Sequence, residues 1–185
     1  IMLRIAQVAP LWEPVPPRTY GGTELVVYLL TQHLVKLGHE VTLFGCKGSK
    51  LPQAPNLRFV PCFDMPLREY QDKVGAIWPA LYENQLMERV MHYSGEFDVI
   101  HNHLGFQLLP FYTQVQAPIL TTLHGVFKPD SITEFLQGYK HLPYVSISDF
   151  QRKPCPNLNY VKTIYHGLAL STIEPCLDAK PDGYL

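Results

Sequence analysis

Between Leu3 and Gly45 the apolar pattern changes period twice, and that change limits the folds open to this chain. "LRIAQVAP" (Leu3 to Pro10) is a short continuous apolar run with the length of a buried strand. In "TELVVYLLTQHLVKLGHE" the residues Leu25, Val26, Leu29, Leu30, Leu34 and Leu37 recur at helical spacing. Gly38 follows them, where a helix-ending glycine belongs. "HEVTLFG" (His39 to Gly45) is a strand again. Strand, glycine turn, helix and strand make one βαβ unit, so the two strands are expected to lie parallel with a right-handed crossover.

The alternation continues. "LRFVPC" is a short strand, and residues 70–93 form a long helix broken near Pro79. "FDVIHNH" is a strand ending at His101, "GFQLLPFYTQV" a short helix interrupted by Pro110, and "APILTTLHG" a strand ending near His124. "SITEFLQGYK" is a helix, "PYVSIS" a strand, "DFQRK" the start of a short helix, and "YVKTIYHG" the last strand. This order predicts an α/β fold: a doubly wound, mostly parallel, Rossmann-like sheet with helices on both faces. It occupies residues 1–168. Residues 169–185 contain two prolines and a glycine with little periodicity, and read as a linker toward a further domain.

The 185 residues carry 15 Lys and Arg against 16 Asp and Glu, with no basic stripe. That argues against nucleic acid or an anionic membrane as partner. No signal peptide precedes Leu3, and no apolar run approaches the ~20 residues that span a bilayer. Cys46, Cys62, Cys155 and Cys176 form no CxxC pair and no zinc spacing. The expected compartment is the cytoplasm.

Gly21 and Gly22, in "PPRTYGGTEL", fall on the loop after the first strand, the place where doubly wound sheets bind ligands. Glycine lets backbone approach a ligand closely. Thr23 can cap the helix, whose N-terminus offers free N–H groups and partial positive charge to an anion. Glu24 suits the helix dipole but would repel a phosphate, so it is expected to point aside. A turn and cap without a ligand account for the same residues. The loop is not GxGxxG, and no acidic residue ends the second strand, which weighs against a nicotinamide cofactor.

His101 and His103 flank Asn102 at one strand end, and His124 ends another. In this topology both ends open onto the crevice of the glycine turn. His124 could bond a sugar hydroxyl or polarise a reacting group; a loop histidine satisfied by a backbone carbonyl is the plainer alternative. A strand puts His101 and His103 on one face but supplies no further metal ligands, so no metal is expected. Ser148 reads as a helix N-cap with Asp149 in the first turn. No GxSxG elbow occurs, which argues against acyl-transfer hydrolysis.

In order, "LRIAQVAP…PPRTYGGTE", "GHEVTLF", "FDVIHNH", "LTTLHG", "YVSISDFQRK" and "VKTIYHGLAL" resemble the N-terminal domain of glycosyltransferase family 4 over nearly the whole chain. Those enzymes are retaining, use nucleotide sugars, and face two Rossmann-like domains across a cleft, the GT-B fold. The resemblance implies that this chain is one half of such a fold and would be inactive alone. It implies that Gly21 and Gly22, with Thr23 beside them, approach the donor diphosphate. His124 matches the histidine beside the transferred sugar and is the expected catalytic residue. Glu24, His101, His103, Ser146, Ser148 and Asp149 fall on the cleft or acceptor side. The donor is a nucleotide-diphosphate sugar, with no other cofactor; the acceptor is unidentified, and a C-terminal domain would hold most donor contacts. "TIYHGLAL" departs from the family pattern, with His166 where Asn is usual and Ala169 where Val is. Two other functions suit the same sequence: a non-catalytic glycan- or partner-binding domain, and a nicotinamide-dependent Rossmann enzyme, for which "YQDK" (Tyr70 to Lys73) has the wrong Tyr–Lys spacing. Trp12, Tyr20, Phe106 and Phe127 lie on loops near the expected cleft, where they could stack on a sugar or pack the rim.

Overall fold

The computed structural model describes residues 1–125 and 130–167. Phe127, Cys176 and the linker of residues 169–185 lie outside them. Seven strands form one sheet: β1 (Arg4–Val8), β2 (Glu40–Cys46), β3 (Leu57–Phe63), β4 (Val99–Asn102), β5 (Ile119–Leu123), β6 (Tyr144–Ser146) and β7 (Tyr160–Thr163). Their order is β3-β2-β1-β4-β5-β6-β7, and every pairing is parallel. The order reverses between β1 and β4, which is where a doubly wound sheet opens a crevice beyond its strand ends.

β1 and β2 are central, and after one exposed residue each is buried along its length. Alternation sorts their side chains. Ala6, Val8, Phe44 and Ile100 face helix α3 (Pro79–Tyr93), packing with Leu86, Met87 and Val90. Leu43 and Ala9 face the other way, onto Val27 and Tyr28 of helix α1 (Gly22–Lys36). A smaller cluster of Leu123, Leu136, Leu142 and Tyr144 seats helix α4 (Asp130–Gln137) on the far half of the sheet.

Helix α1 ends as the sequence predicts. Gly38 takes φ 85°, its N–H reaches the Val35 carbonyl at 3.0 Å, and the His39 N–H reaches Leu34 at 3.1 Å, the double bond of a Schellman turn. Its start differs. Gly21 is the N-cap and Thr23 lies within the first turn, so Thr23 caps nothing. Its buried face is Glu24, Val27 and Thr31, whereas Leu25 and Leu37 are exposed. Val26, Leu29 and Leu30 border an apolar trough of about 410 Å³ over β4, β5 and β6.

The helix predicted over residues 70–93 is two helices, α2 (Leu67–Val74) and α3, separated where Gly75 takes φ 84° and Pro79 opens the next turn. The helix expected after His103 is only a 3₁₀ turn, Leu109–Phe111. Pro110 has no N–H to propagate a helix. "DFQRK" likewise gives a 3₁₀ turn, Phe150–Arg152, and the last strand ends at Thr163.

Candidate functional site

Beyond the carboxyl ends of β1 and β5 lies a polar crevice of about 330 Å³. Gly21, Gly22, Thr23 and Glu24 form one wall; His124 and His166 lie in it, with Glu13 and Arg68 at its base. The glycine loop and His124, just over 100 residues apart in sequence, therefore meet. The first helical bond runs from the Leu25 N–H to the Gly21 carbonyl at 3.0 Å, so the N–H groups of Gly22 and Thr23 precede the helical ladder. Glu24 does not swing away from the crevice as expected. It folds beneath the loop, 5% exposed, and burial raises its carboxyl pKa against the pull of the Glu24 and Glu13 backbone N–H groups.

Glu13 is also buried, and the Arg68 guanidinium holds it in a close ion pair. Two carboxylates thus lie near one cation. Arg68→Leu should lower the chain's stability at pH 7, because it leaves the buried Glu13 carboxylate without its partner. Urea midpoints of the parent and variant chains measure it.

The histidines form a stack. The parallel register of β1 with β4 sets Gln7 beside His101. His101 and His103 point to the same face, as a strand requires, with ring centroids 4.1 Å apart. Asn102 points to the other face, where it bonds the Gly105 carbonyl at 2.9 Å and the Thr121 hydroxyl at 3.2 Å and shapes the loop after β4. His103 Nε2 donates to the Gln7 amide oxygen at 2.8 Å, and His103 Nδ1 is hydrogen-bonded to His124 Nε2 at 2.9 Å. His101 Nε2 meets the Thr122 hydroxyl at 2.7 Å. Beyond His124 comes His166, ring centroids 5.4 Å apart. Burial holds the pKa of His101 and of His124 down at about 4, and that of His103 well below the ordinary 6.5. At neutral pH these rings are uncharged, and they act through hydrogen bonds and not as cations.

His124 itself follows β5. Gln151 fixes that strand end: its amide nitrogen donates to the carbonyls of Leu123 and Gly125, both at 2.8 Å, and its oxygen accepts from the Ile147 N–H at 2.9 Å. Ser146, Ser148 and Asp149 do not line the glycine crevice. The Ser146 hydroxyl meets Thr163 at 3.0 Å and accepts from Arg152 at 2.8 Å. Ser148 accepts from the Gln151 N–H at 3.2 Å, but the 3₁₀ turn begins at Phe150 with Asp149, not Ser148, at its N-cap position; Asp149 accepts from the Thr163 hydroxyl at 2.8 Å. Trp12 and Tyr20 border the crevice, whereas Phe106 packs into the cluster under α4.

Sequence reasoning passed over Gln7, Glu13, Arg68 and Gln151. Gln7 carried one usable signal, a lone amide in an apolar central strand.

Residues 20–160 match the model of Glycosyltransferase Family 4, and the chain belongs to that family. It is 27% identical to an uncharacterized glycosyltransferase of Methanocaldococcus jannaschii, over 90% of this chain and 46% of that protein. It resembles the crystal structure of AviGT4, a glycosyltransferase involved in avilamycin A biosynthesis, with a TM-score of 0.52 and 24% identity over 83% of this chain and 39% of that one. A glycosyltransferase from Rickettsia africae aligns with a TM-score of 0.47 and 16% identity, over 82% of this chain and 38% of that one. The chain thus spans less than half the length of these relatives.

Proposed function

We propose that this chain supplies the acceptor-facing half of a retaining glycosyltransferase site, which moves a sugar from a nucleotide-diphosphate donor to an acceptor. The observation that carries the reading is the meeting of the glycine loop and His124 in one crevice at the switch point of the sheet. The N–H groups of Gly22 and Thr23, backed by the positive end of α1, suit the donor diphosphate. Uncharged His124 suits a sugar hydroxyl beside it. Glu13, Glu24 and Arg68 offer further polar partners on the acceptor side. A donor-binding domain following this one would close the crevice and stabilise the departing diphosphate. Three described cysteines are buried and free, which suits a reducing cytoplasm, and no helix among the described residues is long and apolar enough to cross a membrane.

The test compares the 185-residue chain with the polypeptide encoded when the frame is read past Leu185, each assayed with a panel of nucleotide sugars. The longer polypeptide should transfer sugar with retained anomeric configuration, and His124→Ala in it should lower kcat/KM about 10²-fold. The 185-residue chain should show no measurable turnover. Equal turnover by both, or no turnover by the longer one with any donor, would sink the reading.

A further inference from the structure

We propose that Gln7 is a positioning residue: it locks His103 and His124 as Nε2–H tautomers, and so leaves His124 Nδ1 a bare acceptor. Use of that buried nitrogen by a substrate hydroxyl rests on the reading that His124 borders the transferred sugar; the tautomer lock does not.

Gln7 is fully buried in a central strand. An amide there is costly unless both of its ends are bonded, and both ends face histidine. The amide oxygen only accepts, so His103 Nε2, 2.8 Å away, carries a proton. A neutral imidazole has one proton, so His103 Nδ1 is bare and accepts. Its neighbour at 2.9 Å is His124 Nε2, which must then be the donor. His124 Nδ1 is left with a lone pair; it is buried and has no partner among the described residues. On the other side the Gln7 NH₂ faces His101 Nδ1 at 3.5 Å, so His101 carries its proton on Nε2 and gives it to the Thr122 hydroxyl at 2.7 Å.

One amide orientation thus dictates three tautomers. The depressed pKa values of the stack agree with three neutral rings. Reversing the amide would reverse every proton, because the Thr122 hydroxyl at the far end can donate or accept. His124 would then present an N–H, suited to a phosphate or ether oxygen and useless to a hydroxyl proton. Gln7 sets the hydrogen-bond sense of His124 without touching the crevice, two bonds away.

Long-range ¹H–¹⁵N spectra of the histidine-labelled chain at pH 7.5 read these tautomers directly, with assignments from His103→Asn and His124→Asn. The expected result is Nε2–H with bare Nδ1 for His103 and His124, and a scalar coupling across the His124 Nε2–H···Nδ1 His103 bond. Gln7→Met, of similar volume, should turn the single His124 tautomer into a mixture. An Nδ1–H on His124 in the parent chain overturns the lock, as does an unchanged single tautomer in Gln7→Met. If Gln7→Met fails to fold, the parent spectrum decides alone. Adding UDP-glucose or GDP-mannose to the longer polypeptide should shift His124 Nδ1. The expected tautomers with no such shift would keep the lock and overturn the sugar-site reading.

Discussion

Acidification from pH 7.5 to 5 is expected to remove a large part of this chain's folding stability. The sign follows from the histidine stack. Burial holds His101 and His124 down at about 4 in the folded chain and His103 well below its ordinary value, against an ordinary 6.5 in the unfolded one. Above 6.5 neither state is protonated at these sites, and they contribute no pH dependence. Below 6.5 the unfolded chain takes up protons that the folded chain refuses. Each such histidine then costs about 1.4 kcal/mol per pH unit, and three cost roughly 4 kcal/mol per unit at the steepest. Domains of this size are stable by only about 5–15 kcal/mol. Glu24 and Glu83 oppose the trend, since burial raises their pKa values and their protonation favours the fold as pH falls toward 4.5. His166, whose pKa burial also lowers, adds to the histidines' side, and the two carboxyls leave the direction unchanged. Urea midpoints at pH 7.5, 6.0 and 5.0 measure the slope, and His103→Gln should flatten it by removing one proton-refusing ring. A midpoint constant over that range would contradict the burial of the stack.

Such a stack is also where the sequence stops being legible. The βαβ unit and the strand–helix alternation read out correctly, because each depends on local period and on punctuation such as Gly38 and Pro79. Glycine loop and His124 could be placed in one crevice, because doubly wound sheets put every strand's carboxyl end on the same side. What places Gln7 against His101 is the register of β1 on β4, between residues 94 apart, and no short pattern encodes it. The tripeptide His101-Asn102-His103 reads as one motif, yet strand alternation splits it into two relay rings on one face and a loop-shaping amide on the other. Burial of Glu13 and Glu24 was equally hidden: one lies inside the proline-rich loop and the other in the first turn of α1, and neither setting signals a buried carboxylate. Local rules mispredicted Thr23 for a related reason. A hydroxyl next to a glycine pair looks like a cap, but α1 begins at Gly22 with Gly21 as its cap, two residues before Thr23.

That boundary separates two glycines that look interchangeable. Gly21→Ala is expected to destabilise the chain by about 3 kcal/mol and to disrupt the crevice. At φ 156°, a Cβ on Gly21 would lie 2.7 Å from Pro17 Cβ and 3.0 Å from Glu24 Oε2. Neither neighbour can yield cheaply. Pro17 is ring-locked in a proline-rich loop, and moving the Glu24 carboxylate would disturb a buried group beside a second one, Glu13. Overpacking of this kind costs about 1–3 kcal/mol, and the backbone conformation adds to it. A Cβ on Gly22 would meet nothing within 4 Å, and that residue is already helical. Gly22→Ala should therefore be neutral or stabilise by about 0.5 kcal/mol, through the unfolded chain's lost freedom. Urea unfolding of the two variants separates them. Equal effects would mean that the loop, and not the contact with Pro17 and Glu24, demands the pair. In the longer polypeptide Gly22→Ala keeps the N–H that faces the crevice but adds a methyl group at its mouth. A raised donor KM with unchanged stability would then place the diphosphate against that residue, whereas an unchanged KM would move the donor away from this wall.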